Sequence, residues 1–168
     1  MRTGVLVGVV TAATLAIAGC SASGSGSSSA TPTTQATPSP EPSVGAQVNI
    51  AGLNAVYHAT ADVSGNSNVT IHMDNNFFDP TVIRGKPGQQ LVINLDNGTQ
   101  DGHTFTTADG TADIEVRPMS VAEGKVTLPA SGNLAFFDRL HKDKGMVGAF
   151  TVSGALDAPG PTAGPHTS

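Results

Sequence analysis

Apolar and polar residues alternate in short runs through the middle of the chain. The clearest run is 91–96, where Leu91, Ile93 and Leu95 share one face and the residues between them share the other. Side chains of a strand point alternately to opposite faces, so this pattern indicates a half-buried strand. Comparable runs without helical periodicity predict eight strands: Val69–Met73, Thr81–Arg84, Leu91–Leu95, His103–Thr107, Ile114–Val116, Lys125–Leu128, Leu134–Phe137 and Val147–Val152.

Turn-forming residues separate these runs. The predicted corners are Pro80, Pro87-Gly88, Asn97-Gly98, Asp109-Gly110, Glu123-Gly124 and Ser131-Gly132. Short strands at this spacing predict an all-β domain, an antiparallel sandwich or barrel. Residues 48–63 also contain apolar runs, which predict an additional edge strand or hairpin, although the pattern does not give its place in the fold.

The first twenty residues have the order of a signal peptide. Arg2 precedes an apolar run, Gly4–Gly19, and Cys20 follows it. This run is too short for a membrane-spanning helix, which needs about 20 apolar residues. The ending Ile17-Ala18-Gly19-Cys20 resembles the recognition sequence of lipoprotein signal peptidase. We therefore expect cleavage before Cys20, lipid on that cysteine, and attachment to the extracytoplasmic face of the cell membrane.

Composition divides the rest of the chain. Residues 20–47 are dominated by Ser, Ala, Thr, Pro and Gly with a single charge at Glu41, which predicts a disordered linker. Residues 48–154 carry the strand pattern and form the predicted domain. Residues 155–168 return to Pro and Gly without periodicity and form a predicted disordered tail.

Charge and cysteine content exclude several function classes. Without Arg2, 7 Lys and Arg remain against 13 Asp and Glu, a formal charge of −6. Such an acidic chain has no electrostatic reason to bind nucleic acid. Cys20 is the only cysteine, so its lipidation leaves no thiol for a disulfide, a metal ligand or a nucleophile. Neither a Gly-Xaa-Ser-Xaa-Gly motif nor a phosphate-binding glycine loop is present, and we predict that the protein is not an enzyme.

Four potential metal ligands occur in an informative order: His103, Asp138, His141 and Met146. Phe78-Asp79-Pro80 and Gly85-Lys86-Pro87-Gly88 precede the central strand, and Met146-Val147-Gly148 opens the last one. In this order and spacing, residues 67–153 resemble a cupredoxin of the plastocyanin or azurin type. The resemblance implies a Greek-key β-sandwich with a copper site at these four residues and, in the family, electron transfer.

One position departs from the family. Where plastocyanin-like members have Cys, His and Met at fixed spacing, this chain has Asp138, His141 and Met146. A blue copper site requires a copper–thiolate bond, so it is excluded here. Two imidazoles, a carboxylate and a weak thioether suit non-blue Cu(II), while zinc or iron also accept such ligands.

Each residue also has an ordinary structural interpretation, which the sequence leaves open. His103 can cap a strand, His141 can be solvated, and Met146 can fill the core. Asp138 can pair with Arg139 or another base, or close an Asx turn.

Three functions follow from these patterns. The first is a membrane-anchored copper-binding module that handles copper, passes it to another envelope protein or, less in keeping with the ligands, transfers electrons. The second is a metal-free module that binds a partner in an envelope complex. The third, a metal-dependent oxidase, requires a substrate pocket for which the sequence offers no signal.

Overall fold

The computed structural model describes residues 40–154 and Leu156. The predicted signal peptide, the predicted lipidation site Cys20, most of the predicted linker and nearly all of the predicted tail lie outside the described residues. Within the described part of the chain, no helix is long and apolar enough to cross a membrane.

The described residues form twelve strands and one short 3-10 helix. The strands are β1 (Gln47–Ile50), β2 (Leu53–Val56), β3 (Thr60–Asp62), β4 (Asn68–Asp74), β5 (Phe77–Asp79), β6 (Val82–Arg84), β7 (Gln90–Asn97), β8 (His103–Thr107), β9 (Asp113–Val116), β10 (Ser120–Thr127), β11 (Asn133–Phe137) and β12 (Val147–Thr151), and the 3-10 helix is Lys142–Lys144. All eight predicted strands are present. The short strand β5 was not predicted.

Two sheets face each other. One has the strand order β10-β7-β4-β5, and the other has the order β3-β6-β12-β11-β8-β9. The predicted all-β sandwich is therefore confirmed, but its pairing is mixed rather than wholly antiparallel. Strands β4 and β7 pair in parallel, as does β6 with both β3 and β12. These pairs arise because the chain crosses to the opposite sheet and returns in its earlier direction.

A cluster of phenylalanine rings lies at the centre of the sandwich. The ring of Phe136 has its centroid 4.9 Å from that of Phe105, 5.0 Å from Phe150 and 5.1 Å from Phe78. All four side chains are fully buried. Full burial stabilises the fold by about 2 kcal/mol for each ring. This packing fixes the end of β11, from which the loop carrying the potential ligands begins.

The predicted turn at Glu123-Gly124 is wrong, because both residues lie within β10. A Cβ atom at Gly124 would overlap Ile114 and lie 3.3 Å from Ile93. Glycine here leaves room for neighbouring side chains and does not change the chain direction.

The N-terminal apolar runs form the predicted hairpin, β1–β2, and the edge strand β3. The hairpin packs Ile50 and Ala55 against Ala135, Val147 and Ala149, which form a second, smaller core with it. It also reaches the loop before β12, because the Val56 amide donates to the Gly145 carbonyl at 3.1 Å.

Part of the predicted linker lies against the domain. The hydroxyl of Tyr57 donates to the carboxylate of Glu41 at 2.7 Å, and the amide of Gly45 donates to the Tyr57 carbonyl at 2.7 Å. Within the described residues, contacts to the domain thus extend back to Glu41, before the first strand.

Candidate metal centre

The sheet brings together ligands that are distant in sequence. Strands β8 and β11 are antiparallel neighbours, with Phe137 opposite Thr106. The start of β8, at His103, and the end of β11, just before Asp138, therefore lie at the same edge of the sheet. Side chains 35 residues apart meet there.

Backbone hydrogen bonds close the loop 138–146. The Asp138 amide donates to the Met146 carbonyl at 3.0 Å, and the Lys142 amide donates to the Asp138 carbonyl at 2.8 Å. The 3-10 helix is followed by Gly145, which has a left-handed backbone with φ of 97°. The loop therefore holds His141 over Asp138 through its own main chain.

The carboxylate of Asp138 is the centre of the site. Its Oδ2 atom lies 2.8 Å from Nδ1 of His103 and 2.7 Å from Nδ1 of His141. Its Oδ1 atom accepts hydrogen bonds from the Thr104 hydroxyl at 2.8 Å, the Thr104 amide at 3.2 Å and the Leu140 amide at 2.9 Å. Both carboxylate oxygens are therefore paired with protein donors.

These contacts determine the charge of Asp138. Burial raises the pKa of this carboxyl, but hydrogen bonds from His141, His103, Leu140 and Thr104 together outweigh burial and hold its pKa below the usual range. Asp138 is therefore an ionised carboxylate at neutral pH, which is the form that binds a metal ion.

The three side chains differ in exposure. Those of His103 and Asp138 are 1% and 0% exposed, whereas that of His141 is 19% exposed. The two imidazole rings lie with their centroids 5.1 Å apart at an angle of 59°. Of the three side chains, that of His141 is therefore the most accessible to solvent.

The spacing of the donor atoms could hold one small cation. One atom from each of the three residues lies within 4.8 Å of the others. Two ligands bound at 2.0–2.1 Å are separated by about 2.9 Å at right angles and about 3.4 Å in a tetrahedron. The observed separations of 2.7 and 2.8 Å are a few tenths of an ångström shorter. A small outward movement of the imidazoles would accommodate the ion.

A family comparison accords with this arrangement. Residues 47–152, more than half of the chain, match the cupredoxin-like domain. The chain belongs to this family. The resemblance stated from the sequence is thereby confirmed, and the aspartate at position 138 is a feature of this cupredoxin-like domain.

Solved structures include several similar copper proteins. Reduced auracyanin from Roseiflexus castenholzii is 21% identical over 52% of this chain and 97% of its own, with a TM-score of 0.46. The metal-binding domain of the Cu(I)-exporting ATPase CopA of Streptococcus pneumoniae is 15% identical over 56% and 95%, with a TM-score of 0.48. Copper nitrite reductase from Nitrosomonas europaea is 17% identical over 56% and 42%, with a TM-score of 0.45. No curated protein matches the sequence.

The structure also addresses the other interpretations of these residues. His103 is buried rather than a surface cap. Arg139 contacts Asp113 at 3.1 Å and Glu115 at 3.7 Å across the sheet edge. Asp138 does form the Asx turn with Leu140, through Oδ1, while Oδ2 faces the histidines. The turn and the histidine contacts coexist because they use different oxygens.

Met146 has a different environment from the other three residues. Its side chain is fully buried and belongs to the main hydrophobic core. Its main chain joins the loop, since the carbonyl accepts from Asp138 and the amide donates to His141 at 3.3 Å. The thioether therefore packs in the core, and its weak axial role stays a prediction.

Sequence reasoning missed Thr104 and Thr99. Thr104 donates to Asp138 and accepts from the Arg139 amide at 2.7 Å, so it joins both ligand segments. Thr99 lies 3.1 Å from Nε2 of His103. In the sequence, Thr104 stands beside His103 and Thr99 beside the predicted turn Asn97-Gly98. These positions do not show which side chain each threonine contacts.

Proposed function

We propose that this cupredoxin-like domain binds one divalent metal ion, with Cu(II) preferred, through His103, Asp138 and His141. The observation that supports this is the convergence of two imidazole nitrogens on one oxygen of a buried, ionised carboxylate. Two of the three proposed ligands have further partners that orient them: Thr104 and Leu140 for Asp138, and Thr99 for His103. Oriented ligands of this kind raise metal affinity.

The ligand types favour Cu(II) over other ions. Cu(II) binds most tightly among divalent first-row ions at nitrogen and oxygen sites, and the hard carboxylate disfavours Cu(I). Zinc and iron are compatible with the same ligands. We propose a weakly coloured centre, because no cysteine lies within residues 40–154 and the only cysteine, Cys20, precedes them.

The biological role follows from the N-terminal sequence. We propose that lipid on Cys20 anchors the protein at the extracytoplasmic face of the membrane, and that the domain holds copper there or passes it to an envelope protein. Electron transfer is the less favoured role, since a hard oxygen ligand penalises Cu(I). We propose no catalytic activity.

Metal titration tests this proposal. Cys20→Ala should be the background, so that the only thiol cannot bind copper, and any affinity tag should lack histidine. Calorimetry with Cu(II), and separately with Zn(II), should show one equivalent bound. The double variant His103→Ala/His141→Ala should lose that equivalent. His72→Ala is the matched control, because His72 is exposed and paired with Asp96. Equal binding by the double variant and the control would overturn the proposal.

One observation favours the metal-free alternative, in which the domain is an interaction module. Asp138 already accepts five hydrogen bonds from protein donors, so the buried carboxylate is satisfied without an ion. The same titration distinguishes the two functions. Absence of binding at micromolar Cu(II) and Zn(II), with no rise in the thermal midpoint on adding either ion, would favour the metal-free module.

A further inference from the structure

Strand β10 is the longest edge strand of the two sheets in the described part of the chain. It pairs with β7 through eight consecutive residue pairs without a bulge, and within the described residues no strand pairs with its other side. Sheet edges are usually protected by short length, Pro, bulges or charged side chains, because an open edge offers hydrogen bonds to a further strand. Of these devices, β10 has only charge, at Glu123 and Lys125.

The hydrogen-bond pattern shows which backbone groups face the open side. The Leu128 amide donates to the Gln89 carbonyl at 2.8 Å, in the same register that pairs β10 with β7. In an antiparallel pair, alternate residues direct both their amide and their carbonyl to the partner strand. Even-numbered residues of β10 therefore face β7, and the backbone groups of four odd-numbered residues point away from it: Val121, Glu123, Lys125 and Thr127.

The two charges of β10 stand symmetrically about Gly124. Glu123 and Lys125 are exposed on the outer face of the sheet. The residues opposite them on β7, Asn94 and Val92, carry no charge. None of the ion pairs within residues 40–154 includes Glu123 or Lys125. Both charges are therefore available to a strand that pairs with the open side.

A second copy of β10 is complementary to this edge. If two copies pair in antiparallel orientation about a two-fold axis at Gly124, Glu123 of each lies opposite Lys125 of the other. Val121, which is 75% exposed, then lies opposite Thr127 of the second copy. Opposite charges and pairs of β-branched residues both stabilise neighbouring strands. The four residues whose backbone groups face outward lie opposite one another, so their amides and carbonyls are satisfied together.

Side-chain charge selects this register over its neighbours. A shift by one residue would place outward-facing backbone groups opposite inward-facing ones, and hydrogen bonds would be lost. A shift of the two-fold axis by one position along β10 places either Glu123 opposite Glu123 or Lys125 opposite Lys125. Like charges directly opposite each other destabilise a pair of strands. Only the axis at Gly124 combines full hydrogen bonding with two ion pairs.

We propose that β10 is a homodimer interface, through which two copies of this chain join their four-stranded sheets into one eight-stranded sheet. The interface uses the same residues on both copies, so the assembly closes as a dimer. One pair of strands buries less than the roughly 1,600 Å² of a standard interface. We therefore expect a weak dimer, with a dissociation constant of about 10 μM to 1 mM.

Sedimentation equilibrium of the Cys20→Ala protein tests the association. Chelator in the buffer excludes dimers bridged by a metal ion, and removal of the only cysteine excludes dimers joined by a disulfide. The apparent mass should rise toward that of a dimer as the concentration increases to about 1 mM. A protein that stays monomeric over this range would rule out the proposal, whether or not it binds copper.

Charge reversal tests the register. Lys125→Glu and Glu123→Lys each turn two attractions into two repulsions, and each should weaken self-association at least about tenfold. The double variant Glu123→Lys/Lys125→Glu restores both ion pairs and should dimerise like wild type. Lys86→Glu is the matched control, since it makes the same charge change at an exposed residue outside β10. Equal self-association of Lys125→Glu and Lys86→Glu would contradict the proposed pairing.

Mixing the two single variants gives a stricter test. A chain with two glutamates on β10 should not pair with itself, but it should pair with a chain that has two lysines there. An equimolar mixture of Lys125→Glu and Glu123→Lys should therefore form a heterodimer, whereas each variant alone stays largely monomeric. A mixture that associates no more than its separate components would show that these charges do not face each other.

Hydrogen exchange measured by NMR locates the interface. At high concentration, the outward-facing amides of Val121, Glu123, Lys125 and Thr127 should exchange slowly in the wild-type protein. In Lys125→Glu these amides should exchange faster, while the amides that face β7 stay protected. A dimer in which the four amides remain unprotected would place the interface elsewhere. Protection in a monomeric protein would show that another segment of the same chain covers this edge, which also contradicts the proposal.

Discussion

Nδ1 of His141 lies 2.7 Å from Oδ2 of Asp138, which is a hydrogen-bond distance and is shorter than the separation of two ligands on one metal ion. The metal-free centre is thus closed by its own hydrogen bonds. A bound ion must replace the contacts of both histidines to this oxygen. Under the proposed function the three side chains are already close together before an ion binds, and they would have to move slightly apart to bind it.

The negative charge of Asp138 should contribute more to stability and to Cu(II) affinity than the shape of its side chain. Asp138→Asn retains the size of the side chain but removes the negative charge that faces both imidazoles. We expect the free energy of unfolding to fall by about 1–3 kcal/mol in chelator, measured by urea denaturation. We expect Cu(II) affinity to fall at least about tenfold. Unchanged affinity would show that the carboxylate is not a ligand.

Asp138→Cys should restore the thiolate that the family pattern has at this position. Because loop spacing and both histidines are retained, Cu(II) should then produce an intense charge-transfer band in the visible spectrum. Asp138→Ser is the matched control, since it is equally small and lacks the sulfur. A colourless Asp138→Cys protein in excess Cu(II) would show that this loop cannot assemble a copper centre around a thiolate.

Met146→Leu separates core packing from metal ligation. The two side chains have similar volumes, so the free energy of unfolding should change by less than about 1.5 kcal/mol. A weak axial thioether contributes little to affinity, and we expect Cu(II) binding within about threefold of wild type. A much larger loss of binding, with stability unchanged, would make Met146 a principal ligand.

Gly145→Ala should weaken metal binding although Gly145 is not a proposed ligand, because this residue lies in the loop that carries His141. Gly145 has a φ of 97°, and an added Cβ would lie 2.9 Å from the Val56 side chain of the β1–β2 hairpin. Gly110→Ala is the control, because Gly110 also has a positive φ, of 73°, but faces open space. Positive φ alone costs about 1–2 kcal/mol in each variant. We expect Gly145→Ala to be the less stable in urea denaturation and the weaker in Cu(II) binding; equal values would show that the hairpin contact is unimportant.

Acid should destabilise the metal-free domain. Burial raises the pKa of Asp109, but hydrogen bonds from Thr111 and Thr107 hold it below the usual value. A carboxyl with a lowered folded pKa stabilises the fold above its unfolded pKa of about 3.9, and this stability is lost as the pH falls through the folded pKa. Urea denaturation in chelator should show decreasing stability below about pH 4, less steeply in Asp109→Asn. An identical pH dependence in both proteins would contradict this role of Asp109.

The sequence was sufficient for features that repeat locally. Alternation predicted the strand around Ile93, and the resemblance to cupredoxins implied that His103, Asp138 and His141 would meet. It was not sufficient where packing between distant segments decides the structure. Gly124 resembled a turn residue, but its role is to admit Ile114.

The hydrogen-bond partners of the centre were beyond the sequence for the same reason. Thr104 lies 34 residues from the carboxylate that it contacts, and no periodic pattern connects them. Parallel pairing of β4 with β7 likewise depends on where the chain crosses between sheets. The ligand residues could be predicted, whereas the groups that orient them required the structure.

Electron paramagnetic resonance of the protein loaded with one equivalent of Cu(II) tests the central proposal most directly. In the Cys20→Ala background, we predict a tetragonal Cu(II) signal with hyperfine coupling to two imidazole nitrogens, lost in His103→Ala/His141→Ala and retained in His72→Ala. A signal without histidine nitrogens, or one that survives in the double variant, would contradict metal binding at Asp138 and its two histidines.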